Sequence, residues 1–286
     1  MAAPSADTLR RAFIWACTLD VQARKPGNVS LACGGHGMQA ALFIASAEAA
    51  ADPLCTPGTR VGERIGHAMR ATLAAAQCNT NLGIVLLCAP LIAAGERWRP
   101  DDGLPGLRLH LAGVLQGLDV ADARAAYRAI AAAHPGGLGA APQQDVADEP
   151  TIGLRDAMAL AADRDRIAYQ YQHSHVDVFE LGLPAFVETQ RVQSDSAPAM
   201  QRAFLEFLAA LPDSHIVRKH GAAVAHSVMA EALPWRARAR AGLALDTDPA
   251  FAAWDESLKT RAINPGTSAD LCVATALVAK LLAPAA

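Results

Sequence analysis

The sequence predicts an all-α fold built as a single multi-helix domain, and three observations lead to this prediction. Alanine is abundant and β-branched residues are sparse, a composition that favours helices over strands. Apolar residues recur at intervals of three and four rather than two, which is the helical period. The chain has 286 residues and a hydrophobic content of 52%, so it can bury a large core. We therefore expect one domain over residues 1–286, or two closely associated halves.

The helical period and the breaks between periodic segments predict where each helix lies. The predicted helices cover approximately residues 8–23, 38–51, 58–77, 84–94, 107–116, 121–133, 154–172, 199–210, 214–230, 235–243, 251–261 and 268–282, with another near 176–179 or beyond Pro184. Residues 134–150 are rich in proline, glycine and acidic residues. This composition predicts a loop between two halves, with a mobile lid as the alternative.

Charge and hydropathy exclude several classes of partner. A net charge of -3 and a pI near 6.3 provide no global positive field for nucleic acid or acidic membranes. The N-terminus lacks the basic and apolar regions of a signal peptide, and no apolar run is long enough to span a membrane. We expect a soluble cytoplasmic protein, either a monomer or a homodimer, that binds neither nucleic acid nor membranes.

Four polar stretches interrupt the apolar pattern, and each one stands at a predicted helix end. They cover residues 25–28, 79–83, 213–221 and 264–270. Backbone N–H groups at a helix start lack intrahelical partners and attract anions. We expect the four stretches to converge on one nucleotide site. For Asn79, Thr80 and Asn81 the other interpretation is that they only cap the helix behind them.

Two of these stretches carry additional signals. Asp213 or Ser214 can cap a helix, and Arg218 lies beside Ser214 at the i,i+4 spacing, next to Lys219. This basic cluster suits phosphate, although a solvated helix surface has a similar charge run. In the last stretch, Thr267 and Asp270 have the spacing of a capping box.

Two further features concern carboxylate and imidazole chemistry. Glu180 lies among apolar residues, so we expect a buried carboxylate that needs Mg²⁺, a basic residue or a backbone cap as its partner. His173 and His175 lack a nearby thiolate or third ligand, which favours solvated surface histidines over zinc.

The motifs resemble a known family when they are taken in order along the chain. They are Lys25-Pro26-Gly27-Asn28, Gly35-His36 followed by Met38, Asn79-Thr80-Asn81-Leu82-Gly83, Phe179-Glu180-Leu181-Gly182-Leu183-Pro184, Asp213-Ser214 with Arg218-Lys219-His220-Gly221, and Asn264-Pro265-Gly266-Thr267-Ser268-Ala269-Asp270-Leu271. Together they resemble the triphosphoribosyl-dephospho-coenzyme A synthase family over most of the chain. The resemblance implies an all-helical fold and an ATP-dependent transferase of cofactor biosynthesis. In that reaction ATP gives its triphosphoribosyl group to the 2′-hydroxyl of dephospho-coenzyme A and adenine is released.

Motif position and charge suggest a role for each candidate residue. Glu180 and Asp270 are the candidate catalytic carboxylates and Mg²⁺ ligands, and His36 is a candidate acid. The expected nucleotide and phosphate contacts are Lys25, Asn28, Asn79, Thr80, Asn81, Ser214, Arg218, Lys219, Asn264, Thr267 and Ser268.

The sequence also departs from the family members that serve citrate lyase and malonate decarboxylase. Those members carry histidine and lysine where this chain has Asn81-Leu82, and Arg-Gly where it has Val178-Phe179. Gly37 replaces an aspartate. Such changes resemble a divergent branch with archaeal and one-carbon-metabolism relatives. Two alternatives therefore stay open. The first is an enzyme with the same ATP donor and another acceptor, and the second is a non-catalytic nucleotide-binding regulator.

Overall fold

The computed structural model describes residues 2–31 and 40–283, and those residues form helices, turns and loops without a strand. The prediction of an all-α fold is confirmed. The helices of the described residues are α1 (Ala6–Gln22), α2 (Ala40–Cys55), α3 (Val61–Ala76), α4 (Leu82–Gly95), α5 (Gly103–Gln116), α6 (Val120–Ala133), α7 (Leu154–Ala159), α8 (Arg166–Gln172), α9 (Leu183–Val192), α10 (Ala197–Ala210), α11 (Ser214–His220), α12 (Ala222–Arg240), α13 (Pro249–Thr260) and α14 (Gly266–Leu282). A 3-10 turn covers Pro100–Asp102 and a π-helical segment covers Val178–Gly182.

The chain divides into two compact units. The first contains Met1–Trp15, Ile44–His175 and Lys280–Ala286, and the second contains Ala16–Phe43 and Val176–Ala279. Each unit is described by itself. The predicted loop at residues 134–150 is free of helix, and both of its ends lie within the first unit.

Helix α4 is the most deeply buried helix of the first unit. Of its residues only Gly83 is more than slightly exposed, because the sequence is apolar on every face. Helices α3, α5 and α8 pack against it. The apolar sequence of α4 therefore reflects its core position in this unit.

A proline inside α4 explains one of two buried side chains that contact its backbone. Pro90 has no N–H, so it cannot donate to the carbonyl of Leu86 four residues earlier. The Tyr171 hydroxyl donates to that carbonyl at 2.7 Å. The His175 Nε2–H donates to the neighbouring carbonyl of Leu87 at 3.1 Å. Both side chains are fully buried, and the Tyr171 hydroxyl replaces the backbone hydrogen bond that Pro90 cannot make.

In the second unit, α10 occupies the centre. Helices α9 and α12 and the π-helical segment pack around it. Gly182 ends the π-helical segment at a very close approach, since a Cβ there would lie 2.3 Å from Thr275 Oγ1 and 2.4 Å from Phe207 Cζ. Only glycine allows this contact among the segment, α10 and α14.

Three predicted helix boundaries were wrong, each for a local reason. The helix predicted at 154–172 is two helices, because the Asp165 side chain accepts from Ile167 N and Ala168 N and begins α8 anew. The helix predicted at 214–230 is broken at Gly221, whose φ of 87° lies in the left-handed region. The separate helix predicted at 235–243 is the end of α12, which continues through Pro234.

Over the described ranges 2–31 and 40–283, the longest apolar helices fall short of what a membrane-spanning segment requires.

Candidate functional site

One buried carboxylate holds the starts of two helices in the second unit. Asp213 Oδ1 accepts from the backbone N–H groups of His215 at 2.9 Å and Ile216 at 3.1 Å, which begin α11. Its Oδ2 accepts from Ser268 twice, from the backbone N–H at 2.7 Å and from Oγ at 2.8 Å. Ser268 lies in the first turn of α14. A single side chain therefore caps both helices and joins two of the predicted motifs.

Burial and hydrogen bonding act on the Asp213 carboxyl in opposite directions. The side chain is only 2% exposed, and this burial raises its pKa above the ordinary value. The donors of Ser268, the Ile216 N–H and the charge of Arg218 lower the pKa in part. The carboxyl is therefore costly to bury and is retained here by its hydrogen bonds.

His215 adds a second connection between α11 and α14. Its backbone N–H also donates to Thr267 Oγ1 at 3.2 Å. Its ring lies against Gly266, where a Cβ would come within 2.5 Å of His215 Nδ1. Thr267 is buried inside the helix, which begins two residues before the predicted start at Ser268. The Thr267 hydroxyl therefore accepts a hydrogen bond from α11. The sequence had instead placed Thr267 just before α14, as the first residue of a capping box.

The turn at residues 25–28 is the third motif of this unit, and Lys25 is its buried centre. Lys25 is 0% exposed. Its ammonium lies 2.7 Å from the backbone oxygen of Asp20, 3.1 Å from Asp20 Oδ1 and 2.9 Å from Asn28 Oδ1. These contacts match the three donors of an ammonium group. Sequence reasoning assigned Lys25 to the nucleotide, whereas the structure surrounds it with protein acceptors.

Asn28 connects this turn to the start of α14. Its Nδ2 donates to Asn264 Oδ1 at 2.8 Å, and Asn28 itself is buried. The turn is also fixed on α13, because the Gly27 N–H donates to Asp255 Oδ1 at 2.9 Å. Gly27 has a φ of 80°, and a Cβ there would lie 2.6 Å from the Ile263 carbonyl oxygen. Both the conformation and the contact require glycine.

The basic residues of α11 lie in its last turn. Lys219 is exposed and Arg218 is half-buried, while Ser214 at the first position is buried. His220 Nε2 donates to the carbonyl of Ala262, just before the α14 motif. The three motifs at 25–28, 213–221 and 264–270 therefore lie together within this unit, and their convergence on a nucleotide site stays a prediction.

The candidate catalytic carboxylates have different environments. Glu180 is exposed on the π-helical segment, so the expectation that it is buried was wrong. The reason is that Val178, Phe179 and Gly182 take the buried side of the segment and Glu180 takes the other. Asp270 is half-buried in the first turns of α14. His36 lies outside the described residues.

No cluster of three or more His, Cys, Asp or Glu side chains with metal-binding geometry occurs within residues 2–31 and 40–283. Mg²⁺ that binds together with a triphosphate needs only one or two protein carboxylates. The exposed Glu180 and half-buried Asp270 are compatible with that limited requirement.

The fourth polar stretch lies in the first unit, and its side chains hold the start of α4. Asn79 Oδ1 accepts from the Leu82 N–H at 3.1 Å, so Asn79 does cap the helix. The Thr80 hydroxyl donates to Ser46 Oγ at 2.7 Å. Asn81 Oδ1 accepts from Thr72 Oγ1 at 3.0 Å. A role for these three residues in nucleotide binding stays a prediction.

The two histidines near the end of the first unit are not equivalent. His173 is exposed, as expected. His175 is fully buried, so the expectation of a solvated histidine was wrong there. Its Nε2–H donates to the buried backbone carbonyl of Leu87 in α4.

Sequence reasoning did not select Asp20, His215 or Asp255 for the site, and it considered Asp213 only as a cap. All four support a motif residue through a side chain or backbone contact. For His215, Asp255 and Asp213 the partner lies far away in the chain, with Asp213 and Ser268 separated by 55 positions, whereas Asp20 lies five positions from Lys25. The only available signal was the capping pattern at Asp213.

Comparisons with known proteins concern the family and the fold. A family model described as CitG, ATP:dephospho-CoA triphosphoribosyl transferase, matches residues 6–286. A solved structure from Archaeoglobus fulgidus, described as a candidate triphosphoribosyl-dephospho-CoA synthase, is 21% identical with a TM-score of 0.65. That similarity covers 84% of this chain and 98% of the other, and it shows a shared fold. A comparison with curated proteins found no match. Because the family model spans nearly the whole sequence, the chain belongs to the ATP:dephospho-CoA triphosphoribosyl transferase family.

Proposed function

We propose that this protein transfers the triphosphoribosyl group of ATP to the 2′-hydroxyl of dephospho-coenzyme A and releases adenine. The observation that carries the proposal, beside the family match, is the joining of three family motifs in one unit. Asn28 bonds to Asn264, Asp213 to Ser268, and His215 to Thr267. Such direct contacts are what a shared ligand site needs for its groups to be held in fixed positions.

The reaction breaks the bond between ribose C1′ and adenine N9 and forms a bond from C1′ to the acceptor oxygen. The acceptor hydroxyl loses a proton, and adenine leaves with one. Positive charge develops on the sugar in the transition state, so a carboxylate near C1′ stabilises it or accepts the hydroxyl proton. We assign these two roles to Glu180, which is exposed, and Asp270, which is half-buried.

The triphosphate requires positive charge and hydrogen-bond donors. Arg218 and Lys219 in the last turn of α11 supply the charge, and Asn264 supplies a donor before α14. Mg²⁺, when bound with ATP, would neutralise part of the triphosphate charge, and Glu180 and Asp270 would hold it. Thr267, Ser268 and Ser214 are buried, so in this proposal they hold the helix starts in place.

A second candidate function keeps ATP as the donor and changes the acceptor. The departures at Leu82, Val178 and Phe179 favour it. Leu82 is the first residue of α4, and the other two residues are buried in the π-helical segment beside Glu180. A one-carbon carrier cofactor precursor with a free hydroxyl is the alternative acceptor. A third candidate, a regulator without catalysis, would also bind ATP.

One experiment separates these functions. The protein is incubated with ATP, Mg²⁺ and dephospho-coenzyme A, free adenine is measured by chromatography, and the acceptor is analysed by mass spectrometry. We expect adenine together with triphosphoribosylated dephospho-coenzyme A, and a loss of at least 100-fold in Asp270→Asn or Glu180→Gln. Adenine formed only after addition of a metabolite extract would indicate another acceptor. ATP binding without adenine in either case would support the regulator and contradict catalysis.

A further inference from the structure

The orientation of two amide side chains in the second unit follows from the chemistry of Lys25. An ammonium group has three donors and no acceptor. The Asn28 atom that lies 2.9 Å from Lys25 Nζ must therefore be the amide oxygen and not the amide nitrogen. The Asp20 carboxylate at 3.1 Å keeps the ammonium in this position, although burial raises the pKa of the Asp20 carboxyl and Lys25 opposes that effect.

The same argument continues to Asn264. Because the oxygen of Asn28 faces Lys25, its NH₂ group faces Asn264 at 2.8 Å. The group of Asn264 that receives this donor must be its oxygen. The Asn264 NH₂ group is consequently the end of the amide directed away from Asn28, and Asn264 is half-buried. The buried ion pair thus determines which end of the Asn264 amide faces away from the turn.

We propose that Lys25 and Asn28 are positioning residues that fix Asn264 as a hydrogen-bond donor toward a phosphate oxygen of the nucleotide. This rests on the proposed function. Phosphate oxygens only accept, so an NH₂ group stabilises them and an amide oxygen in the same place would repel them. The motif Lys25-Pro26-Gly27-Asn28 therefore acts on the ligand through Asn264 rather than by direct contact. Gly27 holds the turn on α13 through Asp255.

The test is a double-mutant cycle read by calorimetric titration with Mg·ATP and, separately, with inorganic tripolyphosphate. Asn264→Ala should weaken binding about tenfold or more, the typical value of a hydrogen bond to a charged group. Asn264→Asp should weaken it further, because a carboxylate oxygen replaces the donor. Asn28→Ala should weaken binding about threefold to tenfold. The double variant that combines Asn28→Ala with Asn264→Ala should bind as tightly as Asn264→Ala alone.

Kinetics and a matched control distinguish positioning from a general loss of structure. The KM for ATP should rise in Asn28→Ala while kcat changes less than twofold. Gln201→Ala also removes a buried amide that bonds to a side chain of the same unit, Asp246, and it should leave ATP affinity within twofold. If Asn28→Ala fails to fold, the comparison of Asn264→Ala with Asn264→Asp still tests the direction of the donor.

Each result has a defined meaning. Additive losses in the cycle, or equal affinity of Asn264→Ala and the unchanged protein, would overturn the positioning role. A protein that binds tripolyphosphate but does not bind ATP would overturn the proposed function. In that case the affinities of the Asn264 variants for tripolyphosphate still test the role of Asn264 as a donor. Absence of binding to both probes would overturn both proposals.

Discussion

The start of α4 in the first unit and the start of α14 in the second are signalled by similar polar sequences but are held differently. At α4 a residue of the same stretch, Asn79, accepts from Leu82 N–H three positions later. At α14 the acceptor is Asp213, which lies 55 positions away from Ser268 and also begins α11. The first start is capped locally, whereas the second depends on a distant carboxylate shared by two helices.

This difference shows what a polar helix start can and cannot reveal. The pattern predicts that a helix begins because backbone N–H groups there need acceptors. It does not identify which acceptor is used, since a local amide and a remote carboxylate satisfy the same requirement. A shared acceptor, however, makes two helices depend on one residue, and the comparison can be tested by removing acceptors in each unit.

The largest effect is expected for Asp213→Ala. The backbone N–H groups of Ile216 and Ser268 and the Ser268 hydroxyl lose their acceptor, whereas the His215 N–H keeps Thr267 Oγ1, and each unsatisfied buried donor costs about 1 to 3 kcal/mol. Partial access of water reduces the sum, so the free energy of unfolding should fall by about 3 to 5 kcal/mol. Urea denaturation followed by circular dichroism measures it. ATP affinity should fall together with stability.

Asp213→Asn is the matched control for that change. The amide keeps one oxygen for α11 but directs an NH₂ group at the Ser268 donors, so its loss should be smaller than that of alanine. An alanine variant as stable as the unchanged protein would mean that the shared cap is not needed, and the contrast between the two helix starts would disappear.

An intermediate effect, on binding alone, is expected for Lys219→Ala. Lys219 is exposed, so the free energy of unfolding should change by less than about 0.5 kcal/mol. ATP affinity should fall about tenfold if this charge contacts phosphate. Calorimetric titration provides the measurement, with Lys280→Ala as a control at a surface lysine outside the motifs. Equal ATP affinity of the unchanged protein, Lys219→Ala and Lys280→Ala would show that Lys219 is an ordinary surface residue.

The smallest effect is expected for Thr80→Val in the first unit. The variant loses the hydrogen bond to Ser46 and keeps the shape, so stability should fall by about 1 kcal/mol. ATP affinity should stay within threefold. Ser46→Ala and the double variant complete the cycle and separate this bond from other effects. A loss of ATP affinity above tenfold at unchanged stability would instead assign Thr80 to the nucleotide.

The sequence allowed the helices to be predicted because their signals are local. The apolar run of α4 and the breaks before α11 and α14 depend on neighbouring residues, and their boundaries were found within a few positions. The motifs around Asn28, Asp213 and Asn264 were also recognised, and the structure brings them together.

The roles within the site could not be derived in the same way. A lysine in a polar turn reads as a phosphate ligand, and only the tertiary structure reveals Asp20 beside Lys25. Glu180 reads as buried because its neighbours are apolar, yet a π-helical segment turns it outward. The environments of Lys25 and Glu180 depend on which side of each element faces the core. The sequence pattern around one charged residue does not determine which side that is.

The proline in α4 has a consequence for synthesis of the chain on the ribosome. The carbonyl of Leu86 acquires its partner only when Tyr171 has been translated, 85 residues later. At about 5 to 20 residues per second this takes about 4 to 17 s. Until then the most apolar helix of the first unit has an open backbone position and no complete covering. We therefore expect the apolar surface of α4 to stay incompletely covered in the nascent chain until residues 171–175 have emerged.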